Sequence, residues 1–395
     1  MGAGHSHSTE GLEHVGVNWT ARNVLIGFLA VLGVLTVAGL IWLWPSGQDL
    51  SSKVNKIYDA QNLTHENATI TDIKDGCDTQ QVGQAKCLTA TVTIDSGEDA
   101  GTSVEIALLG PQAQSGLRVG DVMEVNRIDT GNGVSWSYSS INRLPVLGVL
   151  AVLFVAVVLA VARWKGLFAL LGLGFAGAVL VGFMLPALIT GKPGIAVALV
   201  GGTAIMFVVL YVAHGVSIRT STALAGTLLG LAVTAGLGAL SAEFARLSGF
   251  AEENEYDLAQ LLPGMNFREL LMVGIIVGGL GVLNDVTITQ SSAVWELRAA
   301  APKMGRGKLF AAGMRIGRDH IASTIYTIVF AYAGGSMAVL LLLYFTDRPA
   351  TAGVEAVTHG VLPRAGDPAG RSIPRNHEVS LYRHHRRQRH HDQIR

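Results

Sequence analysis

Apolar runs of about 20 residues dictate what this chain can fold into, because a hydrocarbon core about 30 Å thick is spanned by a helix of that length. They occupy residues 23–44, 145–162, 167–189, 194–213, 220–240, 270–292 and 321–344. The pattern predicts a mainly α protein, a polytopic transmembrane helix bundle of about seven spans whose first partner is the lipid bilayer. Composition agrees, since 50% of the residues are hydrophobic and 15% charged, against about 25% charged in an average soluble protein. The 48 glycines suit helices held by close backbone approach, as the four-residue spacing of Gly174, Ala178 and Gly182, or of Gly226 and Gly230, also does. A formal net charge of zero gives no reason to expect a nucleic-acid partner.

One polar block, 45–144, is long enough to be a domain of its own. Short β-branched runs at 53–58, 68–73, 87–94, 103–109, 121–128 and 134–141 are separated by turn signals such as Asp95-Ser96-Gly97 and Gly110-Pro111. They predict a small β-barrel-like domain, OB-like or SH3-like, inserted after the first span. Both cysteines, Cys77 and Cys87, fall in this block, and outside the cytoplasm a disulfide between them is the expected state. A metal site is the weaker alternative, because zinc would lack its four ligands.

Loop charges give the orientation. Arg163, Lys165, Arg219, Arg298, Lys303, Arg306, Lys308, Arg315 and Arg318 alternate in side with the fewer Lys192, Arg246 and Arg268, and the heavier side is cytoplasmic. The N-terminus, a polar and disordered stretch over 1–22, is then cytoplasmic, and the β-rich domain lies outside. The three histidines of that stretch have no ligand spacing, so no metal is expected. No small-residue cleavage site follows the first run, which makes 23–44 an uncleaved anchor before the 45–144 domain and the six-helix region 145–346. Residues 347–395 break the pattern. They end in LYRHHRRQRHHDQIR, a basic tail that parity places on the wrong side. A frameshift or truncation near Pro349 accounts for it, and an apolar run in another reading frame is its test.

The sixth run is unlike the rest. From Gly274 to Arg298 it reads GIIVGGLGVLNDVTITQSSAVWELR, placing a carboxylate where insertion costs roughly 3 kcal/mol or more. At helical periodicity Asp285, Thr289, Ser292 and Glu296 share one stripe, and Asn284, Thr287 and Ser291 an adjacent one. Three readings stand: a stripe lining a cavity, with Asp285 near the midplane; structural glue bonded to groups such as Thr203, Tyr211 or Ser323; or a helix ending near Leu283, which leaves the polar run at the surface. Gly274, Gly278, Gly279 and Gly281 are placed either to break the helix and free backbone groups for an ion or to serve close packing, and Pro186 to kink the third span. Next along the chain, Arg315, Arg318, Asp319 and His320 stand at the entry to the seventh span, with Arg315 and Asp319 at pairing distance on a helix. They anchor to headgroups or form a cytoplasmic gate that meets Asp285 or Glu296.

The run GVLNDVTITQSSAVWELR and the later GMRIGRDHIASTIYTIVFAYAG, Gly313 to Gly334, are similar to the YibE/F-like family of bacterial multi-pass membrane proteins, in the actinobacterial form with an extracytoplasmic insert. The likeness runs from the first apolar segment to about Asp347. It implies an acidic residue where this chain has Asn284, and it has no counterpart past Pro349. It also implies a permease or efflux component of the plasma membrane without an assigned substrate. The chain is accordingly read as a permease for a small solute or ion, acting alone, as a homo-oligomer or with a membrane partner. Asn284, Asp285, Thr289, Gln290, Ser292 and Glu296 line its pathway. The alternative is a non-transporting scaffold or sensor whose β-domain binds a partner. A membrane enzyme ranks third, since the sequence carries no P-loop, nucleophile elbow, zincin or dinucleotide motif and calls for no cofactor.

Overall fold

A computed structural model describes residues 18–45, 47, 63–76, 87–129, 133–250, 253–262 and 264–345. Cys77, the strand expected at 53–58, most of the polar N-terminus and the basic tail lie outside the described residues. Asn18 caps the first helix, α1 (Trp19–Leu43), by accepting from the Thr20 N–H at 3.0 Å. The helix thus begins before the expected residue 23. It stops at Trp44, which the following Pro45 forces out of the helical region.

Five antiparallel strands follow: β1 (Leu63–Asp75), β2 (Cys87–Ile94), β3 (Ser103–Leu109), β4 (Val122–Asp129) and β5 (Val134–Ile141), in the sheet order β3-β2-β1-β4-β5. β2 alternates half-buried and buried residues along its length, so one face of the sheet closes over Ile70, Val92, Leu108, Met123 and Val125. A bulge in β1 between Ile70 and Asp72 lets this long strand pair β4 with its first half and β2 with its second. The edges β3 and β5 approach each other, and the sheet is a half-barrel. Arg127 on β4 crosses to the β2–β3 turn, where its Nε donates to Asp99 Oδ2 at 2.6 Å. That bond to Asp99 holds the guanidinium pKa above its ordinary value. Cys87 is disulfide-bonded.

The helical region opens with α2 (Leu144–Val179), a π-turn (Leu180–Met184) and α3 (Leu185–Ile189). Together they form 46 helical residues, about 69 Å if straight and more than twice the hydrocarbon thickness. The run is not straight. Arg163 takes φ 51° and ψ −131°, and a Cβ on Gly166 would lie 2.7 Å from the Val158 carbonyl oxygen, so the chain turns sharply there between two arms. This is the expected separation of 145–162 from 167–189, made by one residue in place of a loop. The π-turn precedes Pro186, which has no N–H for the preceding turn and crowds its carbonyl. The expected kink is therefore present as a widened turn.

Next come α4 (Gly194–His214), α5 (Ile218–Phe244), the short α6 (Glu253–Leu261), α7 (Phe267–Ala300), α8 (Arg306–Gly335) and α9 (Met337–Phe345). The core lies among α4, α5 and α7, around Leu210, Leu224, Leu231, Ile276 and Leu280. Glycines set the spacing there: Gly201 faces Met184, Gly230 faces Leu283 and Gly238 faces Met272, each too close for a Cβ. Gly226 also meets Thr287, whereas Gly174 and Gly182 meet nothing within 4 Å. Among the described residues five helices are long and apolar enough to cross a membrane, counting Leu144–Ile189 once. The seventh run, expected at 321–344, is instead the second half of α8 followed by α9, and α8 extends back through the charged residues to Arg306.

Candidate functional site

The site lies on α7, which is helical without interruption from Phe267 to Ala300. The expected break at Gly274, Gly278, Gly279 and Gly281 does not occur, nor does the helix end near Leu283. Asn266 caps its start, accepting from the Glu269 N–H at 3.3 Å. The Glu269 carboxylate in turn accepts from the Gly194 N–H at the first turn of α4, and Arg268 pairs with Glu243 at the end of α5. These contacts mark one polar boundary of the bundle. The other is marked where the Ser291 hydroxyl donates to the Arg219 carbonyl at 2.9 Å, beside the N-cap Ser217 of α5. At 1.5 Å per residue Arg268 and Ser291 are about 34 Å apart, one hydrocarbon thickness, and Asp285 lies about 9 Å inside the Arg219 boundary. Asp285 is thus nearer that boundary than the expected midplane, and Glu296 lies beyond the boundary.

The two polar stripes have different surroundings. Thr287 turns toward α5, where its hydroxyl lies 2.6 Å from that of Thr227 while also donating to the Leu283 carbonyl at 2.7 Å. Gln290 reaches α8 and donates from Nε2 to the Gly313 carbonyl at 2.9 Å. Gly313 and Gly317, one turn apart, leave the space that the Gln290 amide fills. These partners replace the expected ones: Tyr211 bonds Ser221 at 3.0 Å, and among the described residues neither Thr203 nor Ser323 bonds to this polar stretch. Thr222, Gly226, Thr287, Gln290, Ser291 and Trp295 line a cleft of about 360 Å³ between α5 and α7.

The other stripe looks outward. Asp285, Thr289 and Glu296 are exposed and Ser292 half-buried. Among the described residues Asp285 has one partner, His320 of α8, whose Nε2 stands 3.7 Å from Asp285 Oδ2. Apart from that contact, His320 Nε2 has no hydrogen-bond partner among the described residues, and neither does the buried Asn284 Oδ1. The structure therefore joins one residue of the expected gate to one of the expected pathway. The rest of the gate is not assembled: Arg315, Arg318 and Asp319 are exposed, and among the described residues no ion pair joins Arg315 to Asp319 or either arginine to Asp285 or Glu296. Thr227 and the Gly313/Gly317 pair were not singled out from the sequence. A lone hydroxyl beside Gly226, and glycines four apart facing a polar helix, are the signals that mark them.

Among the described residues no group of three or more His, Cys, Asp or Glu is placed to hold a metal ion. No curated protein and no solved structure matches the chain. The family model described as YibE/F-like protein matches residues 150–356, just over half the chain and nearly all of its helical region. It leaves out α1 and the five strands, so the likeness begins later than the first apolar run, and it runs to residue 356, past the expected end near Asp347 and past Pro349. On that match, this chain belongs to the YibE/F-like family.

Proposed function

We propose that the protein is a permease for a small solute or ion, in which Asp285 and His320 form the coupling pair of the pathway. The carrying observation is their contact across α7 and α8, at a depth where a carboxylate is costly. Packing does not call for it. Thr287, Gln290 and Ser291 already tie α7 to its neighbours through neutral hydrogen bonds, so a helix serving only as glue has no use for Asp285. Carboxylate and imidazole groups on adjacent membrane helices form proton relays. The proposal puts the chain in a bacterial plasma membrane with the N-terminus cytoplasmic and the strands outside. Loop charge and the disulfide at Cys87, which needs an oxidising compartment, support that orientation.

The test is flux into sealed proteoliposomes, with an internal pH dye and with inorganic cations and phosphate as test solutes. Asp285→Asn keeps the shape and hydrogen bonding of the side chain and removes its charge, so flux is lost while the yield of folded protein is unchanged. Normal flux in this variant removes Asp285 from coupling. Loss of folded protein instead favours the scaffold reading.

A further inference from the structure

One face of α7 is largely uncovered among the described residues. Gly274, Gly278 and Gly281 fall on the same helical stripe as Asp285, Thr289 and Glu296, and all six are exposed. A Cβ at Gly274 or Gly281 would meet nothing within 4 Å, and one at Gly278 only the Tyr332 hydroxyl. The glycines that set helix spacing inside this bundle are in contact, as Gly201, Gly230 and Gly238 are. Gly274 and Gly281 are not, and Gly278 meets only the tip of Tyr332. Lipid tails gain little from a groove of glycines, and a carboxylate facing them is costly.

Charge indicates what covers the face. α7 and α8 run antiparallel, with Gln290 beside Gly313 and Asp285 beside His320. Arg318 therefore stands near the depth of Asp285, and Lys308 near that of Glu296. Among the described residues of one chain neither acid pairs with either base. A two-fold axis along the membrane normal preserves depth, so a second copy presents its Arg318 and Lys308 at the levels where Asp285 and Glu296 are open. We infer that this face of α7 packs against the same region of a second copy, with Asp285 meeting Arg318 and Glu296 meeting Lys308 across the interface. The second copy also closes the Asp285–His320 site on its open side. Dimerisation by this face requires only that α7 spans the membrane, not that it carries solute.

The test is disulfide trapping of the full chain in membranes. Gly274→Cys and Gly281→Cys, each a small change at an open position, should give a species of twice the monomer mass on oxidation. Gly236→Cys on α5, also exposed and open, should not. Equal trapping at all three positions, no trapping, or trapping to a protein of different mass overturns the inference. Differently tagged Asp285→Arg and Arg318→Asp chains test the charge pairing. Each alone should lose self-association, and coexpressed they should co-purify, because both crossed pairs are then complementary. Self-association that survives in either single variant overturns the pairing. Flux measurements do not enter either result.

Discussion

Thr287 and Thr289 stand two positions apart on one helix, and their hydroxyls have opposite situations. The Thr287 hydroxyl bridges to Thr227 at 2.6 Å, whereas Thr289 is exposed. Thr287→Val should destabilise the bundle by about 0.6 kcal/mol, the average for an interhelical side-chain bond in membrane helices. The loss is limited because the Thr227 hydroxyl then turns its proton to the Ala223 carbonyl, 3.0 Å away. Thr289→Val should leave stability unchanged. Detergent-denaturant titration of the purified protein separates the two. Helical periodicity sorted these residues correctly into stripes, since that follows from 3.6 residues per turn. It could not say which stripe meets the bundle, because that depends on the flat surface Gly226 and Gly230 make on α5, far away in sequence.

Elements were legible to the degree that their determinants are local. The strands at 87–94, 103–109 and 134–141 match expectation residue for residue, because alternation of period two is written in each segment. The glycines of α7 misled for the converse reason. Each costs about 1 kcal/mol against Ala in a water-exposed helix, but inside a bilayer a broken helix leaves backbone groups unbonded at several kcal/mol apiece. The unbroken helix therefore wins. Glycine does decide the structure at Gly97, in the β2–β3 turn, where φ is 82° and a Cβ would lie 2.1 Å from the Glu66 carboxylate. Glu66 is only 6% exposed, so its carboxylate has little room to withdraw. Gly97→Val should destabilise the half-barrel by about 1–3 kcal/mol through backbone strain, seen as faster cleavage between the strands on limited proteolysis of the full chain. Unchanged protection would mean that the turn relaxes to accommodate the side chain.

For the whole molecule, counting apolar runs gives spans only when each run crosses once. Leu144–Ile189 meets the length and hydropathy of a single long span, and the kink at Arg163 divides it into two arms. α8 shows the opposite difficulty: its charged first half lowers its hydropathy, although it continues as one helix into the apolar second half. Parity can be measured. Two arms crossing in opposite directions make the number of crossings between β3 and the α7–α8 turn odd, which places those two points on opposite sides of the membrane. Ser103 opens β3 and Gly307 lies in the first turn of α8, both exposed. In intact cells Ser103→Cys should react with an impermeant maleimide, and Gly307→Cys only after permeabilisation. Labelling of both from outside would mean that the first arm of α2, Leu144 to Ala162, does not cross. Labelling of Gly307→Cys alone would invert the orientation, placing the arginine-rich turn outside against the positive-inside bias.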